Sequence, residues 1–115
     1  MRYTKVLVTA LAATLLAAVG VASPAQAAEF SVCTTKFGSD CRTGSVQAEG
    51  GNVWIGLYAP PVGACYYWVT DANNGIVVRS GSFVQAYATT INGLHSRYYV
   101  YLFSCPGFAE AHIQG

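Results

Sequence analysis

The 115 residues carry a net charge of only +1, and charged side chains make up 10% of the chain. Phosphate binding draws on clustered Lys and Arg, so this balance counts against nucleic acid as a partner and against an anionic membrane surface. Four cysteines and 13% aromatic residues in so short a chain point instead to a small domain held by sulfur bridges and rich in ring contacts.

The chain opens with Arg2 and Lys5, runs apolar or small from Val6 to Val21 apart from Thr9 and Thr14, and reaches Ala25-Gln26-Ala27. That order of basic, apolar and small-residue regions is the layout of a secretory signal peptide, with cleavage expected near Ala27. The apolar run falls short of the roughly 20 residues a membrane-spanning helix requires, and no basic cluster follows it. The expected product is an extracellular domain over residues 28–115, with no membrane attachment once the leader is removed. Its charged residues are Lys36, Arg42, Arg79 and Arg97 against Glu29, Asp40, Glu49, Asp71 and Glu110.

Eighty-eight residues bury only about 60% of the unfolded surface, which leaves little margin of stability without staples. Four cysteines allow three pairings. The sequential one, Cys33 with Cys41 and Cys65 with Cys105, is favoured because Thr34 to Asp40 reads as a short hairpin that holds its own ends together. Loops of those lengths are expected to contribute roughly 2.5 and roughly 4 kcal/mol. A zinc site needs closer cysteine spacing than this chain has.

The remaining elements read as strands. Ser45 to Glu49 alternates around Val46 and Ala48, and Val53, Ile55, Leu57 and Ala59 recur at every second position. Cys65 to Thr70, Ile76 to Ser80, Phe83 to Ile91 and Tyr98 to Cys105 are rich in β-branched and aromatic residues. Turn chemistry separates them at Gly50-Gly51-Asn52, Pro60-Pro61-Val62-Gly63, Asn73-Asn74-Gly75, Asn92-Gly93 and Pro106-Gly107. Asn74-Gly75 predicts a two-residue type I′ hairpin turn. Short strands at this spacing and no helical period predict an all-β fold, a small antiparallel β-sandwich with two disulfides.

Two resemblances sharpen the architecture. Thr90 to Leu102, with Leu94 ending a loop and Tyr98 opening a strand, resembles the E–F corner of immunoglobulin- and fibronectin-type sandwiches. The layout of leader, two early cysteines, Gly63-Ala64-Cys65-Tyr66 and a Tyr-rich strand ending at Cys105 is similar to the secreted tendamistat-type α-amylase inhibitors of actinobacteria. That likeness implies a small sandwich with sequential disulfides. The family's Trp-Arg-Tyr triplet is absent between Cys33 and Cys41, where Thr34-Thr35-Lys36-Phe37-Gly38-Ser39-Asp40 stands, so no inhibitory residue is carried over.

Aromatic residues give the most specific chemistry. If Cys65 and Cys105 turn inward to meet, alternation sends Tyr67 and Val69 inward on one strand and Tyr99, Tyr101 and Phe103 inward on the other. Tyr66 and Trp68 then face out. Burial of Val53, Ile55 and Leu57 leaves Trp54 and Tyr58 outside, with Tyr98 nearby, so one sheet face is expected to carry Trp54, Tyr58, Tyr66, Trp68 and Tyr98 as a binding surface. A one-residue bulge would invert the parity of any strand, and in so small a domain at least one of Trp54 and Trp68 is expected to be largely buried. The loops Lys36 to Asp40 and Asp71 to Gly75 are the alternative contact points.

Catalysis has little to build on. Gly-x-Ser-x-Gly is absent, His95 and His112 have no cysteine nucleophile, and nothing brings Glu49, Asp71 and Glu110 together as a carboxylate pair. Asp71, Asn73 and Asn74 lack the glycine and glutamate positions of a calcium loop, and no cofactor motif is present. The sequence therefore predicts a secreted, non-catalytic binding or inhibitory module directed at a secreted protein or cell-surface component, or alternatively at a polysaccharide through the Trp and Tyr face.

Overall fold

A computed structural model describes residues 29–115. The leader segment, residues 1–27, lies outside the described residues. Nine strands follow in order: β1 Phe30–Thr34, β2 Cys41–Arg42, β3 Val46–Gln47, β4 Asn52–Tyr58, β5 Cys65–Asp71, β6 Val77–Phe83, β7 Ala86–Asn92, β8 Arg97–Phe103 and β9 Glu110–Gln114. No helix of the described residues is long and apolar enough to cross a membrane.

The strands form two antiparallel sheets. The first has the order β1-β9-β4-β7; the second has the order β2-β8-β5-β6, with β3 also paired to β8. Alternation explains the core between them. Val53, Ile55 and Leu57 of β4, Val69 of β5, Val100 and Leu102 of β8, and Ala111 and Ile113 of β9 are all buried, and their odd or even neighbours point to solvent. Each large aliphatic side chain removed from water contributes about 1.5–3 kcal/mol.

Both sequential disulfides are present, Cys33–Cys41 and Cys65–Cys105, in a fold of the expected all-β sandwich class. Such bridges belong to an oxidising setting. Cys33 lies on β1 and Cys41 on β2, so the first bridge ties one sheet to the other along one side of the sandwich. The segment between them is not the expected hairpin, because β1 and β2 pair in different sheets; it is a loop that turns at Phe37 and Gly38, both with positive φ (39° and 85°), where Ser39 N–H donates to Lys36 O at 2.9 Å. Thr35 locks this loop down, donating from Oγ1 to Gly107 O and accepting from Ala109 N–H.

Three local readings are corrected. The β5–β6 hairpin turns through four residues, Ala72 to Gly75, with Gly75 N–H donating to Asp71 O and Gly75 alone in the left-handed region. The Asp71 carboxylate organises it by accepting from Asn73 N–H and Ser96 Oγ, so an Asp-led turn replaces the two-residue type I′ turn. Phe83 to Ile91 is not one strand, because β6 runs on through Gly81 to Phe83 and the break falls at Val84-Gln85, where Gln85 takes φ 67°. Gly81 does not interrupt β6 because the Tyr67 ring covers it from the paired strand, within 3.3 Å of where a Cβ would stand.

Candidate functional site

The outer face of the second sheet is built by β5 and β8. Their register sets Tyr66 opposite Phe103, Trp68 opposite Tyr101 and Thr70 opposite Tyr99. All six side chains point away from the core, because Tyr67, Val69, Val100 and Leu102 point into it. This reverses the expected parity of β8, in which Tyr99, Tyr101 and Phe103 were to be buried. The cause is Ser104, whose φ of 54° turns the chain between Phe103 and Cys105. Cys105 reaches inward to Cys65 while Phe103 stays outward, so counting alternate residues back from the cysteine fails by one.

The result is a continuous row of rings. Trp68 lies 4.8 Å from Phe103 and 5.7 Å from Tyr101, centroid to centroid; Tyr101 and Phe103 stack at 5.7 Å, and Tyr66 and Phe103 at 5.9 Å. These separations fall in the range where aromatic pairs attract beyond simple burial. Trp68 and Tyr66 keep 43% and 42% of their surface exposed, so mutual packing fixes the rings without hiding them. Beside the row, Arg42 on β2 places its guanidinium 5.0 Å from the centre of the Tyr99 ring, a cation–π contact. Arg42, Trp68, Thr70, Tyr99 and Tyr101 border an open groove of about 340 Å³.

Tyr101 is tied at its tip. Its hydroxyl donates to the Asp40 carboxylate in the Cys33–Cys41 loop, and that bond, with desolvation and the carboxylate's charge, raises its pKa above the usual tyrosine value. The bond consumes the neutral hydroxyl's proton, so ionising Tyr101 would break it.

The five residues singled out from the sequence are not brought together. Tyr66 and Trp68 share the face just described. Trp54 and Tyr58 lie on the outer side of the first sheet, across the core. Trp54 folds down over Gly56, whose Cβ would stand 2.9 Å from the indole Cζ2, and is half-buried. Tyr58 meets the His112 ring edge-on at 5.5 Å, and His112 contacts Glu110 at 2.9 Å. Tyr98 is a core residue, 4% exposed, and its hydroxyl accepts from His95 N–H at 3.2 Å, closing the corner between β7 and β8. Neither tryptophan belongs to the buried core, contrary to the expectation that one would.

Sequence reasoning missed Tyr99, Tyr101, Phe103 and Arg42 as surface residues. The signal that finds them is the β5–β8 register, which depends on the turn at Ser104. Among the loops, Phe37 is 80% exposed between β1 and β2 and meets Phe108 edge-on at 4.6 Å. Among the described residues no group of three His, Cys, Asp or Glu side chains converges as a metal site. The His112 ring, beside Glu110, packs against the rings of Phe30 and Tyr58. No family model, no characterised protein and no solved structure matches this chain.

Proposed function

We propose that this protein is exported by its amino-terminal leader and acts as a non-catalytic binding module, recognising a secreted protein or cell-surface component through the outer face of the second sheet. The observation that carries this reading is the row Tyr66, Trp68, Tyr101 and Phe103, packed ring to ring with Tyr66 and Trp68 exposed and Tyr101 and Phe103 half-buried beside them. Trp, Tyr and Arg dominate binding energy at protein interfaces because they bury much surface and lose little conformational freedom. Here they stand on paired strands instead of on loops, so that little ordering cost remains at binding. Arg42, stacked on Tyr99, adds a directional donor at the edge of the row.

The test is retention of partners from culture medium or cell envelope on the immobilised protein. Trp68→Ala and Tyr101→Ala together are expected to abolish it, while Trp54→Ala leaves it intact. Equal retention by both variants would refute the assignment.

The groove beside Trp68 supports a second reading, a polysaccharide ligand. The ring faces of Trp68, Tyr99 and Tyr101 and the Arg42 guanidinium border one another there. Soluble polysaccharides that quench the emission of a Trp54→Phe protein would select this reading, and a protein ligand would leave that titration flat.

A further inference from the structure

Beyond the binding face, we infer that the protein pairs with a second copy of itself through the free edge of β6, joining two second sheets into one. The sandwich has two sides. On one, β1 and β2 are bridged by Cys33–Cys41. On the other, β6 and β7 are the outermost strands of their sheets; the Arg79–Tyr87 contact ties them to each other, and the Tyr67 ring of β5 lies 6.0 Å from that of Tyr87.

β6 is an edge guarded by a single inward charge, Arg79. Asp71 N–H donates to Ile76 O, so alternate residues of β5 from Asp71 back to Cys65 bond toward β6. Their partners are Arg79, Gly81 and Phe83, which leaves the N–H and C=O groups of Ser80 and Ser82 directed outward. Such a row is a template for another strand, and natural edges are usually blunted with lysine, proline or inward charge. From Ile76 to Val84 the sole charge is Arg79, with no lysine or proline, and Arg79 reaches back to Tyr87 within its own molecule. The bulge that opens the β5–β6 ladder lies at the far end, near Val77.

The pattern of the edge selects the occupant. Ile76, Val77 and Val84 are 59%, 43% and 56% exposed, and they flank a small, polar centre at Ser80-Gly81-Ser82. An antiparallel pairing about a twofold axis at Ser80 places Ile76 opposite the second copy's Val84, while Val77 lies opposite Phe83, whose side chain stays in its own core. Apolar ends thus meet apolar ends, and Arg79 lies opposite Gly81 instead of another charge. A closed twofold contact of this kind is self-complementary. It also places two aromatic rows on one continuous sheet face, so that two weak contacts with a repetitive partner would reinforce each other.

Sedimentation of the purified oxidised protein over a wide concentration range is expected to show a reversible monomer–dimer equilibrium. Ser80→Pro removes an N–H that β5 does not use, a place where an edge strand tolerates proline, and is expected to give a monomer whose far-ultraviolet circular dichroism is unchanged. Ser80→Cys supplies the positive test, because directly opposed residues of a bonded pair lie about 5.5 Å apart, within disulfide reach. Mild oxidation should link Ser80→Cys chains into covalent dimers, with Ser82→Cys linking far less. A parent protein that stays monomeric throughout, a dimer that survives Ser80→Pro, or equal linking at positions 80 and 82 would each overturn the proposal.

Discussion

The two outer faces of the sandwich each carry a tryptophan, and the fold uses them differently. On the first sheet Trp54 lies along its own strand and fills the gap left by Gly56, so the ring serves as a cover for bare backbone. On the second, Trp68 has no glycine beneath it. It stands among Tyr66, Tyr101 and Phe103 and keeps 43% of its surface. Equal chemistry on the same kind of strand therefore gives a structural lid in one place and a displayed surface in the other, and the difference lies in what the neighbouring strand supplies.

The largest effects should come from confusing the two roles. Gly56→Ala puts a methyl group where the far end of the Trp54 ring rests, so the ring must swing off the strand. A loss of about 1 kcal/mol is expected in denaturant unfolding, with Trp54 emission shifted to the red and binding through the other face unchanged. Trp68→Ala, in contrast, should cost little folding stability but about 2 kcal/mol or more of binding free energy, as a central interface aromatic does. A Trp68→Ala protein that unfolds as readily as Gly56→Ala would erase the distinction.

A smaller effect should follow at Ser104. Its left-handed backbone sets the outward parity of β8, and glycine adopts that conformation without steric cost. Ser104→Gly should keep both the Cys65–Cys105 bridge and the ring row, with stability changed by no more than about 1 kcal/mol. A β-branched residue there, as in Ser104→Val, should strain the turn and lower the midpoint of thermal unfolding.

The smallest effects concern protons. Tyr101 has its pKa raised above 10 by its bond to Asp40, so its contribution is fully present below that pH and is lost as pH rises through the higher folded value. Asp40→Asn should bring the Tyr101 titration, followed by phenolate absorbance, back toward an ordinary tyrosine. Glu29 runs the opposite way. The Arg97 side chain hydrogen-bonds its carboxylate at 2.7 Å and lowers its pKa below 4.5, so that contact stabilises the fold above pH 4.5 and is lost on acidification below it. Glu29→Gln should flatten this part of the acid limb of a stability curve.

These faces were only partly legible in the sequence. Period-two patterns exposed β4 and β5 directly, because Val53, Ile55, Leu57 and Val69 alternate with polar or aromatic residues on uninterrupted strands. The sequential disulfides are present as expected, but the hairpin from which the first was read is a loop joining the two sheets. β8 misled, since Tyr98 to Phe103 is aromatic or aliphatic at every position and hydropathy cannot choose its inner side. The choice is made by Ser104, a residue type with no preference for positive φ, and by Tyr98, whose hydroxyl finds a partner inside the β7–β8 corner. β1, β2 and β9 went unrecognised for a different reason. β2 is two residues long, and β1 and β9 carry Ser, Cys, Glu, His and Gln in place of the usual β-branched run, gaining their strand form from pairing with each other and with β4.

The most direct test of the displayed face is hydroxyl-radical footprinting of the protein, free and saturated with a partner retained from culture medium or cell envelope. Tyr66, Trp68, Tyr101 and Phe103 should be reactive when free and protected together when bound, while Trp54 and Tyr58 stay unchanged. Protection centred on Trp54, Tyr58 or Phe37, or a Trp68 that is already unreactive in the free protein, would contradict the account.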